Sequence, residues 1–383
     1  MRIAIFGGSF DPIHIEHIRL VEAAIKSLHL DKLIVMPAYS PPHKPWRVLA
    51  DATYRLEMCR LAFVNQPKVE ISDFEIMQGG TSYTYLTCEH FKKEYPKAEI
   101  FWLVGTDMLR DFPTWKEPQK ILENVTLAVC GRNEKEGWLA PERKFFHEKF
   151  GKDLAEIHYN GADVSSTKIR VLAGAGTDLT HFTPISVAEY IQKNGLYKIE
   201  NAKEALGLEK TQRMMHSIRV ANLAAARANG LKISEQKAIT AALFHDCAKN
   251  LPEDSPYLQD FTLQKEWGEV PLPVIHQYQG AYVAKKYFSV TDEDILNAIR
   301  FHTSARPNMS ELEKLIFLAD MLEEERSYDG VEILRKLFWD KSGLDLCMEE
   351  ALRQTLEFLE TKGGEVYPLT RQAYDFYAAK NKE

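Results

Sequence analysis

No apolar run in the 383-residue sequence approaches the ~20 residues of a membrane-spanning helix. The chain opens on a short apolar strand pattern in place of a basic, then apolar, leader, so no signal peptide is expected there. The five cysteines (Cys59, Cys88, Cys130, Cys247 and Cys347) are odd in number, widely spaced and contain no CxxC pair. That pattern argues against structural disulfides and against a cysteine zinc site; it predicts reduced thiols and a cytoplasmic protein. The net charge of −7 gives no electrostatic case for a nucleic-acid partner. There is no internal repeat and no low-complexity tract. What is present is ordinary: 45% hydrophobic and 27% charged residues describe a globular chain without a membrane partner. Its length exceeds one typical domain, and self-association is compatible with this composition.

Two halves are legible. Up to residue 200, short runs rich in Ile, Val, Phe and Leu read as buried strands: 2–6, 33–36, 69–71, 100–104, 126–129 and 156–159. Amphipathic stretches such as 18–28 and 54–63 alternate with them. That alternation predicts an α/β fold, a Rossmann-like, doubly wound parallel sheet. Such sheets bind ligands at the carboxyl ends of their strands. Beyond residue 200 the strand signal stops, and segments such as "MMHSIRVANLAAARA" and "ELEKLIFLADMLEEE" predict an all-α domain over 201–383.

The first half begins with "IFGGSFDPIHIEH" at residues 5–17. It starts like a dinucleotide-binding fingerprint, but the third glycine is missing and His14 and His17 stand in its place. Gly7 and Gly8 let backbone N–H groups approach a polyphosphate, and a following helix N-terminus adds partial positive charge. Two histidines three apart share a helix face. Their N–H groups can donate to a phosphate whose charge grows during transfer. Further on, "SSTKIR" (165–170) places hydroxyls at a helix start with Lys168 and Arg170 just inside, either an ordinary N-cap or a second anion cradle. "GGTSYT" (79–84) reads as a turn rich in hydroxyls, and "PPHKP" (41–45) as a rigid turn carrying Lys44. In "GTDMLRDFPTW" (105–115), Asp107 is free to take a ribose hydroxyl and Trp115 to stack on a flat ring. A tryptophan after a loop packs in the core more often than it carries a ligand.

In this order over about 200 residues, GGSFDPIHxxH, GGTSYT, GxDxxxxxxxW and SSTKIR closely resemble the bacterial nicotinate-nucleotide adenylyltransferases of the HxGH nucleotidyltransferase superfamily. The resemblance implies AMP transfer from ATP, with its Mg²⁺, to nicotinate mononucleotide. It implies that Gly8, Ser9, Phe10, His14, His17, Ser166, Thr167 and Arg170 hold ATP, with His14 and His17 catalytic. Thr81, Ser82, Tyr83, Thr84 and Trp115 would hold the pyridine nucleotide, with Asp107 near the adenylate ribose and Lys44 or Arg132 near phosphate. Two departures stand out: Glu16 replaces the usual glycine of HxGH, and Leu86 falls where the family usually has an aspartate.

The helical half scatters His216, His245, Asp246, His276, His302 and Asp320 within or beside apolar stretches. An unsatisfied buried polar group costs about 1–3 kcal/mol, so six of them make sense if they converge on a shared partner. Four imidazoles and two carboxylates suit mid-row divalent metals such as Fe, Mn, Co or Ni, and six ligands exceed what one metal with an open position needs. Two ions bridged by Asp246 is the expected arrangement, which makes Asp246 the catalytic carboxylate. This H…HD…H…H…D order resembles the HD phosphohydrolase superfamily. The phrases "AALFHDCAKNLP", "ILNAIRFHTSARPNMSELEKLIFLADMLEEER" and "PLTRQAYDFY" resemble its bacterial symmetrical diadenosine tetraphosphate hydrolases. That narrower resemblance implies iron, hydrolysis to two ADP, and Lys249 and Arg306 as phosphate cations. "HQYQG" from His276 departs from the shorter glycine-containing turn common in that family. The rival readings are adenylyl transfer to another phosphorylated acceptor, such as phosphopantetheine, and an HD domain that senses a nucleotide without turning it over.

Overall fold

The computed structural model describes residues 1–41, 48–134 and 137–382. They form two compact units: one comprises Met1–Ile169 and Leu179–Leu196, the other Arg170–Asp178 and Tyr197–Glu383. All five cysteines are buried and free. No helix among the described residues is long and apolar enough to cross a membrane.

The first unit is built on six parallel strands: β1 (Arg2–Gly8), β2 (Lys32–Pro37), β3 (Val69–Ile71), β4 (Glu99–Gly105), β5 (Thr126–Arg132) and β6 (Ala155–Tyr159), in the order β3-β2-β1-β4-β5-β6. Buried Ile3, Ile5, Ile34, Met36, Trp102, Val104, Leu127 and Val129 form much of its core. Near-continuous apolarity is what a sheet covered on both faces demands. The strand order reverses between β1 and β4, and a crevice at the carboxyl ends of such neighbours is where doubly wound sheets bind ligands. One boundary differs from the sequence reading. Gly7 and Gly8 belong to β1, paired with Met36 and Pro37 of β2, and not to the loop. Glycine carries no apolar signal, so the ladder and not the pattern ends this strand.

Helices α1 (Ile15–Ser27), α2 (Ala52–Ala62), α3 (Thr84–Glu94) and α4 (Thr106–Asp111) follow strands or loops of the first unit, and α5 (Ser166–Gly174) follows β6. The second unit is helical throughout its described residues. Its principal helices are α6 (Thr211–Ala228), α7 (Glu235–Phe244), α8 (Leu272–Tyr287), α9 (Glu293–Arg300), α10 (Glu311–Leu322), α11 (Asp345–Lys362) and α12 (Pro368–Lys380). Ala221, Ala224, Ala225 and Ala228 on α6 and Ala238, Ala241 and Ala242 on α7 are fully buried. Small side chains at such positions let helix backbones approach closely. "HQYQG" lies inside α8, so it is helix and not a turn at a pocket mouth.

Candidate functional sites in the two units

In the first unit, the chain leaves β1 at Gly8 and enters α1 with His14 as N-cap. A Cβ on Gly8 would come within 3.0 Å of the Phe10 ring. Phe10 is fully buried, and its ring meets those of Phe6 and His17, each at 5.1 Å between centroids. The imidazoles of His14 and His17 stack at 3.6 Å with planes 22° apart. The His14 backbone N–H donates to His17 Nδ1 at 3.2 Å, which places the His17 proton on Nε2 while the ring is neutral. Burial, with the nearby Arg132 charge, pushes His14 down to about 4. Burial, with His14 beside it, holds His17 well below the usual imidazole range. Both rings are therefore neutral near pH 7, and each has one N–H available to donate.

The loop is held by residues distant in sequence. The fully buried Arg55 of α2 donates to the carbonyls of Ser9 (2.8 Å), Ala38 (2.7 Å), Ala50 (2.9 Å) and Tyr39 (3.3 Å). Ser166 Oγ donates to the Pro12 carbonyl at 2.9 Å and Thr183 Oγ1 to that of Ile13 at 2.9 Å, tying the α5 start to the histidine loop. Thr167 sits beside Ser166 in the first turn of α5. Sequence reasoning missed Arg55. Its signal was the apolar spacing of Ala52, Leu56 and Cys59, which puts Arg55 on the buried face of α2.

Glu16 is 4% exposed and pairs with Arg19 at 2.7 Å. Its other oxygen fills the space beside Gly161, 2.1 Å from where a Cβ would lie, against the Arg132 stem. The side chain that replaces the motif glycine is thus accommodated by a glycine on the loop after β6. Arg132 ends β5 and donates to the Ala162 carbonyl at 2.8 Å. Asp107 lies exposed in the first turn of α4, just past the carboxyl end of β4.

The "GGTSYT" residues divide. Thr81 is exposed, Tyr83 precedes α3 and Thr84 begins it, and the Tyr83 ring lies 4.1 Å under Lys116 Nζ. Ser82 is buried, and its Oγ accepts from the Tyr39 N–H at 3.0 Å, fixing the loop after β2. Leu86 is part-buried in α3. Two side chains expected at a ligand are held elsewhere in this structure. Trp115 packs in the core against Phe112 at 5.3 Å. Arg170 belongs to the helical unit and makes a buried two-pronged ion pair with Glu235 at 2.5 and 2.9 Å. A buried guanidinium demands a carboxylate, and the local motif carries no trace of this distant partner. Lys44 lies outside the described residues.

In the second unit, five segments deliver six side chains to one place. His216 comes from α6, His245 and Asp246 from the end of α7, His276 from α8, His302 from the turn after α9, and Asp320 from α10. They form three overlapping sets: His216, His245 and Asp246; His245, His302 and Asp320; and Asp246, His276 and His302. Within each set, one nitrogen or oxygen atom per residue lies within 4.8 Å of the others. Asp246 Oδ2 faces His245 Nε2 at 3.5 Å, while Oδ1 faces His276 Nε2 at 3.4 Å and His302 Nε2 at 3.3 Å. One carboxylate thus presents an oxygen to each side.

The backbone fixes the tautomers. Nδ1 of His245 meets the Ala242 carbonyl at 2.6 Å and Nδ1 of His302 meets that of Ile299 at 2.8 Å, so each ring carries a proton at Nδ1. Their Nε2 lone pairs point into the cluster, and His245 Nε2 is buried without a hydrogen-bond partner. His276 and His302 bring their Nε2 atoms to 3.2 Å. Burial pushes His245 down to about 4 and His276 down to about 2, the latter with His302 contributing. Against the upward pull of burial, the neighbouring His245, His302 and Lys249 hold Asp246 well below the usual carboxylate range. Neutral imidazole lone pairs converging on ionised carboxylates are the donor set of a divalent metal centre.

Around the six are partners the sequence reading missed. Glu323 accepts from His216 Nδ1 at 3.1 Å, the carboxylate–histidine arrangement that orients a ligating ring. It stands three residues after Asp320, the helical spacing that would have revealed it. Arg213 approaches Asp246 at 2.9 Å and Arg326 approaches Asp320 at 2.8 Å. Lys249 Nζ lies 2.7 Å from His276 Nε2 and 3.8 Å from Asp246, at the cluster. Arg306 is instead bound to Glu313 at 2.7 and 2.8 Å, beside the Phe301 ring. Its carboxylate partner lies seven residues on and competes for the guanidinium.

Comparison with known proteins finds a family match in each half of the chain. Residues 5–172 match the Cytidylyltransferase-like family, and residues 213–325, which include all six cluster residues, match the HD domain. A Mycoplasma genitalium protein named "Probable nicotinate-nucleotide adenylyltransferase/Ap4A hydrolase" is 31% identical over 94% of this chain and 98% of its own length. The chain belongs to that family. A Clostridium tetani protein named "Probable nicotinate-nucleotide adenylyltransferase" is 38% identical over 51% of this chain and 98% of its own. A solved Clostridium acetobutylicum structure, described as a "predicted HD superfamily hydrolase involved in NAD metabolism", is 32% identical with a TM-score of 0.41. It covers 47% of this chain and 95% of its own.

Proposed function

We propose that the first unit joins AMP from ATP to nicotinate mononucleotide and that the helical unit cleaves diadenosine tetraphosphate symmetrically into two ADP. The first reaction rests on the stacked, neutral histidine pair at the α1 N-terminus. A phosphate oxygen of the mononucleotide attacks the α-phosphorus of ATP, and the bond to the β-phosphate oxygen breaks. Pyrophosphate leaves with that electron pair, and the deamido dinucleotide remains. His17, with its proton on Nε2, donates to the phosphate oxygens as their charge grows. His14 and the N–H groups of the first turn of α1 add donors, and Arg132 adds a cation. Ser166, Thr167 and Asp107 are proposed to hold the ATP, with Mg²⁺ entering as its counter-ion. Thr81, Tyr83 and Thr84 are proposed to read the pyridine substituent, with Trp115 beside the same loop cluster as its ring partner.

The second reaction rests on the two-sided presentation of Asp246 among four imidazoles. We infer two ions, of iron, held by His216, His245, Asp246, His276, His302 and Asp320. Divalent ions there supply Lewis acidity toward phosphate and lower the pKa of water. Lys249, with Arg213 and Arg326, then neutralises the polyphosphate. Two assays test the assignment. Nicotinate mononucleotide is adenylylated far faster than its amide, and equal efficiencies would contradict the pyridine assignment. Diadenosine tetraphosphate yields ADP alone; ATP plus AMP would show the wrong bond broken.

A further inference from the structure

"HQYQG" is helical, and its second residue, Gln277, reaches across to the turn after His302. Gln277 is fully buried in α8, one residue beyond His276. Its Oε1 accepts from the backbone N–H of Thr303 at 3.1 Å and of Ser304 at 3.0 Å, and its Nε2 donates to Ser304 Oγ at 2.9 Å. Three hydrogen bonds from one amide therefore fix the two residues that follow His302. Thr303 in turn sets its hydroxyl 3.0 Å from His276 Nε2, and Ser304 Oγ also reaches the Ala305 carbonyl at 3.0 Å. The turn is demanding, since Ala305 takes a positive φ of 56°, which a residue with a Cβ adopts at a cost. The His302 ring is tied on its other side to the Ile299 carbonyl.

We infer that Gln277 is a positioning residue for the metal centre: it locks the turn after His302, and so sets His302 and the Thr303 hydroxyl against His276. The inference rests on the metal reading of the cluster. It assigns this buried amide a defined task, holding two imidazoles from α8 and the α9 turn at one spacing. Residues that orient metal ligands commonly contribute about 10–100-fold to metal affinity.

The test compares the full chain with Gln277→Met, Gln277→Glu and Gln277→Asn. Mn²⁺ affinity and ions per chain are measured by equilibrium dialysis, far-ultraviolet circular dichroism and thermal melting serve as the control for folding of the helical unit, and AMP transfer is followed alongside. Methionine keeps the length and loses all three bonds; glutamate keeps an acceptor that reaches both N–H groups; asparagine is too short to reach them. Gln277→Met should weaken Mn²⁺ binding at least about tenfold, with AMP transfer unchanged. Gln277→Glu should stay much closer to wild type. Wild-type affinity in Gln277→Met would overturn the inference, as would equal affinity in the glutamate and asparagine variants should the methionine variant fail to fold. A wild-type chain that binds no Mn²⁺ would instead sink the metal reading beneath it.

Discussion

The two units assemble their candidate sites by opposite constructions. The first uses one continuous loop, residues 8–17, whose side chains and backbone all come from a single strand-to-helix turn. Its supports are backbone anchors: Arg55 on four carbonyls, and Ser166 and Thr183 on one each. The second uses one or two side chains from each of five segments, with almost no help from its main chain beyond fixing two tautomers. A local loop tolerates drift elsewhere provided its anchors hold. A convergent cluster depends on the packing of every helix that feeds it, which the alanine-rich α6 and α7 faces supply.

The difference also governs what could be read in the sequence. The central strands β1, β2, β4 and β5 were legible because parallel strands buried on both faces are near-continuous apolar runs, and the short edge strands β3 and β6 from their Val and Ile. The histidine loop was legible because its parts are adjacent. The six cluster residues were legible because His and Asp are rare inside apolar stretches. Partners that act through space were not. Arg55, Glu323, Arg213 and Arg326 carry no motif, although helical spacing marks Arg55, Arg213 and Glu323 in hindsight. Arg170 and Trp115 were assigned from local motifs, and each is held by tertiary packing in this structure: Arg170 by Glu235, Trp115 by the core around Phe112. Burial of an ion pair and of an indole outweighs local sequence.

Three changes probe the contrast, from the largest effect downward. Arg55→Met removes the anchor of the loop and leaves buried carbonyls unpaired, each costing about 1–3 kcal/mol. AMP transfer should fall by roughly two orders of magnitude, since loss of about 2.7 kcal/mol of transition-state alignment is a hundredfold. ADP formation should be unchanged, and parallel loss of both activities would break the contrast. Glu323→Gln weakens the carboxylate behind His216, and metal affinity should drop about 10–100-fold while AMP transfer is retained. Metal titration followed by both assays measures this, and unaltered affinity would remove Glu323 from the centre.

The smallest effect is in pH. His14 has a folded pKa pushed down to about 4, below its unfolded value of about 6.5. The unfolded chain therefore gains protons first, so this contribution to stability is complete above about pH 6.5 and is lost progressively as pH falls toward 4. The imidazole signals of His14 and His17 should keep their neutral shifts down to pH 5 in the folded protein, with the melting temperature falling by a few degrees from pH 7 to 5. Titration of either ring near 6.5 would mean that the stacked pair is solvated and that its donor role needs revision.

The central claim is that one chain carries two chemistries with no shared machinery. It is tested most directly by measuring metal content, AMP transfer and ADP formation on Asp246→Ala and His17→Ala side by side. Asp246→Ala removes the carboxylate common to two of the three ligand sets. It should lose its metal and its ADP formation while keeping wild-type AMP transfer. His17→Ala should keep full metal and ADP formation and lose about 10²–10³ in AMP transfer, the range for removing one transition-state donor. If Asp246→Ala retains its metal and its hydrolase rate, or if either variant loses both activities while still folded, the account is contradicted.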